Sequence, residues 1–152
     1  MEKKVKKAII TLSKVYPATH SHKGKPTGLR GKLESGEKIH TIRSNYDWWD
    51  KKMEAINDGR MYLSIREWSG KPYASHQNEI CQIHKIGLQK VVMTYDSNDD
   101  VPQVWIDGKY IPIQEVCKND GLDLNDFVEW FFANSKTNIF EGVCIQFTKF
   151  RY

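Results

Sequence analysis

The stretch Gly36–Arg43, which reads GEKIHTIR, combines a lysine, a threonine and an arginine within one short segment. Lys38 carries a compact charge and Arg43 a planar fork, and both groups suit phosphates or carbonyls. The hydroxyl of Thr41 becomes a nucleophile only when a base takes its proton. A lysine whose pKa is lowered by burial or by neighbouring cations can be that base. The same residues are also compatible with solvent-facing charges and a β-branched strand position.

Aromatic residues stand beside this basic segment and again around a later Ser-Gly-Lys-Pro turn. Aromatic rings among lysines and arginines can stack a nucleobase while the cations hold its phosphate. Trp49 shares a helical face with Met53 and Ile56, which predicts a core position and leaves Trp48 as the stacking candidate. The predicted ligand-binding residues are Lys38, Arg43, Tyr46, Trp48, Trp68, Lys71 and Tyr73.

Histidines and cysteines do not indicate a metal site in the sequence. His20 and His22 share a loop, but no carboxylate or cysteine stands at ligand spacing from them. The chain has 3 cysteines, far apart and without a CxxC pair, which argues against both zinc and a disulfide framework. We therefore expect reduced thiols in or near the core, no metal and no cofactor.

Composition indicates a globular domain with an uneven charge. The chain has 152 residues, 39% hydrophobic and 12% aromatic, which is typical of one domain with its own core. Residues 1–71 carry 16 Lys and Arg against 8 Asp and Glu, hence +8, whereas residues 72–152 carry 7 against 11, hence −4. This asymmetry indicates a phosphate-bearing or polyanionic partner, or an unevenly charged surface. Without an apolar run long enough for a membrane span or a signal peptide, we expect a cytoplasmic protein with no membrane partner.

Short helices and strands must position these residues. The patterns predict strands around Ala8–Leu12, Ile39–Arg43, Met61–Trp68 and several later segments, with helices after Thr27 and Asn45. Asp107-Gly108 predicts a hairpin turn. Asp123 is the predicted N-cap of a late helix, and Asp126 completes an approximate capping box. Strands and helices without regular βαβ alternation predict an α+β fold on a mostly antiparallel sheet or barrel.

Three segments together resemble the ASCH domain family of the PUA-like superfamily. The run G-E-K-I-H-T-I-R resembles the family's G-x-K-x-x-T-x-R signature. Asn119–Leu122 resembles the acidic position before its late helix, and Val143–Phe147 resembles its closing strand. The likeness covers about Ala8 to Phe150. It implies a small PUA-like β-barrel, mostly antiparallel, with flanking short helices and a cleft, in a single domain over residues 1–152.

The resemblance implies RNA, single-stranded nucleic acid or a nucleotide or nucleoside as partner. Some small bacterial members are amidohydrolases that deacetylate N4-acetylcytidine, and their lysine and threonine match Lys38 and Thr41. Their catalytic glutamate falls near Asp120, which is shorter by one methylene. In a regular strand Lys38 and Thr41 would point to opposite faces, so they converge only if Lys38 precedes the strand or a bulge intervenes. A binding module, an amidohydrolase and a structural or interaction domain all remain open.

Overall fold

A computed structural model describes residues 5–152 of the chain. This part of the protein contains eight strands and four helices. Their order is β1 (Lys6–Leu12), α1 (Leu29–Ser35), β2 (His40–Arg43), α2 (Tyr46–Asn57), β3 (Met61–Trp68), β4 (Gln77–Ile83), β5 (Gly87–Thr94), β6 (Gln103–Ile106), β7 (Lys109–Ile111), α3 (Ile113–Asp120), α4 (Leu124–Phe132) and β8 (Ile139–Gln146).

The smaller of two sheets has the strand order β1-β3-β4. Strands β1 and β3 run parallel, from Lys6 beside Met61 to Leu12 beside Glu67. Strands β3 and β4 form an antiparallel pair with an irregularity after Ile65. The sequence patterns did not predict the parallel pair, because strand periodicity shows which residues share a face but not which strands are neighbours.

The larger sheet has the order β2-β8-β5-β6-β7, and all its pairs are antiparallel. Asp107 and Gly108 both have positive φ, 50° and 77°, as a two-residue type I′ hairpin requires. This confirms the predicted turn between β6 and β7. The α+β class with mostly antiparallel sheets is confirmed as well, and among residues 5–152 neither sheet closes into a barrel.

Three of the four helices follow the predicted signals. Helix α1 ends at Gly36, whose φ of 83° places it in the left-handed region that glycine adopts without strain. Helix α2 buries Trp49 and Ile56, as its apolar face predicts. Helix α4 buries Phe127 completely. Helix α3 was not predicted, although Pro112 precedes it and Gly121 follows its last residue.

Two predictions about local chemistry have different outcomes. The thiols are free, with Cys117 and Cys144 buried and Cys81 half-buried, and burial raises the pKa of Cys117 to about 12. The predicted capping box of α4 is wrong. Asp123 makes no side-chain cap bond, and Asp126 bonds instead to residues of the loop after β1.

Among residues 5–152, no helix has the length and apolar character needed to cross a membrane.

Candidate functional site

A small cavity of about 40 Å³ is lined by all three predicted catalytic residues. Lys38, Thr41, Arg43 and Asp120 line it together with Ser13. Its other walls are apolar and come from β1, α1, β2, the segment after α3, and α4: Leu12, Leu29, Ile42, Leu122, Trp130 and Phe131. The space is sufficient for about one water molecule or a group of similar size.

Lys38 reaches this cavity because it precedes the strand. Strand β2 begins at His40, and Lys38 lies between it and the glycine that ends α1. The backbone is held there by two hydrogen bonds, from Lys38 N to Lys32 O (3.0 Å) and from Ile39 N to Asn119 O (2.9 Å). Strand alternation therefore does not apply between Lys38 and Thr41. Of the two arrangements that allow them to converge, the structure adopts the one without a bulge.

The amine of Lys38 is buried and paired. Nζ donates to the backbone oxygen of Asp120 at 2.8 Å and lies 3.3 Å from its Oδ1. Only 3% of the Lys38 surface is exposed. Burial is the main cause that lowers the pKa of Lys38, and Arg43 acts in the same direction, whereas Asp120 opposes both. The amine therefore loses its proton at a lower pH than an ordinary lysine does.

The carboxylate of Asp120 stands at the end of α3 and receives two donors. Besides Lys38, the Nδ1 of His40 lies 3.3 Å from Oδ1. Burial disfavours its ionised form, but the combined effect of Lys38 and His40 outweighs burial and holds the pKa of Asp120 below its ordinary value. Asp120 is consequently a carboxylate at neutral pH, a state in which it accepts hydrogen bonds and cannot donate one.

His40 extends this network to the last residue of the chain. Its Nε2 lies 2.6 Å from the hydroxyl of Tyr152, and that hydroxyl also accepts a bond from Asn119 Nδ2 at 3.0 Å. The bonds are mutually consistent if His40 carries its proton on Nδ1 and Tyr152 donates to Nε2. Sequence analysis missed all three residues. His40 was inside the signature and Asn119 began the segment before the late helix, but neither was given a role, and nothing local marked Tyr152.

The side chains of Arg43 and Thr41 line the cavity and have hydrogen-bonding capacity that the described chain does not use. The guanidinium of Arg43 donates only to backbone oxygens, those of Thr11 (3.2 Å) and Ile42 (3.3 Å), and pairs with no carboxylate in residues 5–152. Burial lowers its pKa, but an arginine stays charged in proteins. The hydroxyl of Thr41 has no hydrogen-bond partner within the described chain, although the residue is only 3% exposed. A half-buried cation and the side chain of a buried threonine thus line the same small space.

The predicted aromatic residues lie elsewhere, and none lines this cavity. Tyr46 borders a wider surface cavity of about 450 Å³, with Lys90 Nζ 4.9 Å from its ring centre. Trp48 is 42% exposed, whereas its neighbour Trp49 is 6% exposed, as the helical face predicts. Trp68 is the last residue of β3, and Tyr73 and Lys71 lie on the connection to β4. The two aromatic rings are 5.2 Å apart between centres and tilted by 52°.

That β3–β4 connection lies at the same end of the smaller sheet as the cavity. Leu12, which lines the cavity, pairs with Glu67, the residue before Trp68. Lys14 Nζ also donates to the backbone oxygen of Ser69 at 3.3 Å. Trp68 therefore follows directly after a residue that pairs with the cavity wall. Neither Trp68 nor Tyr73 lines the cavity itself.

No family model, curated protein or solved structure matches this chain. The resemblance to ASCH domains therefore stays a prediction, and the chemistry of the site has to be argued from its residues.

Proposed function

We propose that this chain is an ASCH-type, PUA-like domain that hydrolyses the N-acyl bond of an acylated nucleobase such as N4-acetylcytidine. The observation that supports it most is the shared cavity of Lys38, Thr41 and Arg43. A nucleophile, a base and an oxyanion-stabilising cation are the three groups that acyl transfer needs.

In the first step Thr41 Oγ attacks the acyl carbon and Lys38 Nζ takes the hydroxyl proton. A neutral amine is required for this, and burial favours the neutral amine. The carbonyl π electrons move to oxygen, and the tetrahedral oxyanion faces the guanidinium of Arg43. Arg43 suits this role because its guanidinium is hydrogen-bonded to backbone oxygens and to no carboxylate of the described chain.

In the second step the C–N bond breaks and the Lys38 ammonium returns its proton to the leaving amine. The resemblance places Asp120 near the family's catalytic glutamate, but the lowered pKa of Asp120 argues against a general acid there. Asp120 instead orients the lysine through its backbone oxygen and Oδ1. Water then attacks the acyl-threonine ester while Lys38 takes a proton from it. The acyl C–O bond to Thr41 breaks and Lys38 returns the proton to Thr41 Oγ, which releases the carboxylic acid and restores both residues.

The test is release of cytidine from N4-acetylcytidine by the wild type and by Thr41→Val, Thr41→Ser and Lys38→Arg. Valine keeps the shape of threonine without the nucleophile, and arginine keeps the charge without a usable base. We expect both variants to lose about 10²-fold or more in rate, whereas serine retains activity. Thr94→Val in β5 and Lys118→Arg on the exposed side of α3 are matched controls. Wild-type turnover equal to that of Thr41→Val would contradict the proposal.

A second candidate function is the binding of RNA or single-stranded nucleic acid. Tyr73 is 92% exposed and its ring contacts that of Trp68, and Lys71 and Lys14 belong to the same region. Exposed rings beside cations are the means by which proteins hold unpaired bases. The two functions are compatible, since the stacking pair could hold the base whose acyl group enters the cavity. If both fail, the structural or interaction domain remains.

A further inference from the structure

Four potential metal ligands meet between the loop after β1 and helix α4. His20 and His22 come from the loop, while Asp126 and Glu129 stand one turn apart on the helix. The spacing of these residues in sequence concealed the cluster, because more than 100 positions separate each histidine from the carboxylate it contacts. In residues 5–152 this is the one place where three such residues are close enough to share an ion.

The distances inside the cluster suit a small divalent cation. His22 Nδ1 lies 2.9 Å from Asp126 Oδ1, His20 Nε2 lies 3.5 Å from that oxygen, and Glu129 Oε2 lies 3.0 Å from His20 Nε2. In a tetrahedral site with bonds of 2.0–2.1 Å, ligand atoms stand roughly 3.3 Å apart. Two imidazoles with carboxylates favour zinc over magnesium or calcium, which prefer oxygen ligands only.

The surroundings hold the ligands in place and leave an entrance. The hydroxyl of Tyr16 donates to the other oxygen of Asp126 at 3.0 Å, which is the outer support that ligating carboxylates commonly have. His20 is almost completely buried, whereas the side chain of His22 is 48% exposed. A surface cavity of about 360 Å³ borders His22, Asp126 and Glu129.

The electrostatics of this region favour a cation. Asp100 lines the same cavity, and Asp96 and Asp99 line a neighbouring one that also reaches Glu129. Asp126 and Glu129 belong to the acidic half of the chain, and these aspartates add to the negative charge around the two histidines. From the ligand set, the distances and this charge, we propose that His20, His22 and Asp126 bind one Zn²⁺ ion, with Glu129 as a fourth ligand.

Several hydrogen bonds of the cluster must change when the ion binds, because zinc would replace the ring contacts of His20 and His22 with the carboxylates. The Nδ1 of His20 accepts the backbone N–H of His22 at 2.9 Å, so the neutral ring carries its proton on Nε2, toward Glu129. Zinc takes the place of that proton, the ring then carries its proton on Nδ1, and the His22 amide must turn away. Binding should therefore exchange one neutral tautomer of the His20 ring for the other and shift the NMR signal of the His22 amide.

The experiment is calorimetric titration of Zn²⁺ into untagged, chelator-treated protein, with Co²⁺ absorption as a test of tetrahedral geometry. We expect one ion per chain, and affinity reduced by at least about 10-fold in His22→Ala and in Asp126→Asn. His22 is largely exposed, so its variant should fold normally. The controls are His76→Ala, an exposed histidine outside the cluster, and Cys81→Ser, the most accessible thiol. Both should bind as the wild type does.

Two results would overturn the zinc site. Absence of saturable binding by the wild type would mean that the cluster only joins the loop to α4 through hydrogen bonds. Binding that survives in both His22→Ala and Asp126→Asn would place the ion elsewhere. Neither result bears on the Lys38 cavity, because none of the proposed zinc ligands lines it.

Discussion

Burial alters the chemistry of individual side chains in this protein. Lys38 would be an ordinary surface ammonium if it faced water, but in its pocket burial and Arg43 lower its pKa. For Asp120, burial favours the neutral acid, but Lys38 and His40 outweigh it and keep the side chain ionised. The lysine is thereby suited to proton transfer, and the aspartate is suited to holding it in position.

The proposed role of Lys38 as a base predicts a specific pH dependence. Below its pKa the amine is protonated and cannot accept the Thr41 proton, so kcat/KM should rise with pH and level off once the amine is neutral. The midpoint should lie below the ordinary lysine value of about 10.4. The measurement is the pH profile of N4-acetylcytidine hydrolysis.

Asp120→Asn provides a sharper form of the same test. The Asp120 charge raises the pKa of Lys38, so its removal should move the midpoint to lower pH while the maximal rate falls. The His76→Ala variant should keep the wild-type midpoint. A midpoint that stays unchanged or rises in Asp120→Asn would show that another group titrates.

The residue types of the site were predictable, but most of their contacts were not. Lys38, Thr41 and Arg43 were chosen because their chemistry is uncommon within so short a segment. The partnership of His40 with Tyr152 and that of His20 with Asp126 arise from contacts across more than 100 positions. Local periodicity contains no information on such contacts, which depend on how distant elements pack.

Helices contribute to the core through one face each, and α2 offers a direct test with two adjacent tryptophans. Trp49 is 6% exposed, whereas Trp48 is 42% exposed and lies under Lys52 Nζ at 5.0 Å. We expect Trp49→Ala to reduce the free energy of unfolding by about 3–5 kcal/mol. Trp48→Ala should reduce it by about 1 kcal/mol or less.

Urea unfolding followed by circular dichroism measures both variants against the wild type. The two substitutions remove the same side chain one position apart, so each is the control for the other. Equal losses would mean that the burial difference along α2 does not describe the protein in solution.

Helices and strands with strong local sequence signals were predicted well, whereas α3, whose signal is short, was not. Ile113, Val116 and Cys117 form its buried stripe at helical spacing, and Pro112 and Gly121 flank it. The helix has only 8 residues, so the stripe is too short to distinguish it from a buried strand by pattern alone. The resemblance identified Asp120 as a candidate but did not predict the helix α3 that ends with it.

At the scale of the whole molecule, the uneven charge predicts salt-dependent binding of single-stranded nucleic acid. Each phosphate contact releases counterions, so log affinity should fall linearly with log salt, by about 0.7 per contact for single strands. Tyr73→Ala should weaken binding by roughly 1–3 kcal/mol, because the base would lose the aromatic ring on which it stacks. Tyr73 is 92% exposed, so the substitution should leave the fold intact.

A labelled oligonucleotide titrated at several salt concentrations provides the measurement, with Trp48→Ala as an exposed tryptophan control away from the β3–β4 connection. Absence of binding at low salt, or affinity indifferent to salt, would remove the nucleic-acid hypothesis. Equal weakening by Trp48→Ala and Tyr73→Ala would mean that the stacking pair is not the contact.

The position of β8 has a consequence for how the protein is made. It is the last strand along the chain, yet it lies between β2 and β5 and supplies a neighbour to each. Until residues 139–146 have left the ribosome, both strands expose unpaired backbone edges, which are the usual starting points of aggregation. Completion of the larger sheet, and of the pairing of the strand that carries Thr41, must therefore wait until β8 has been synthesised.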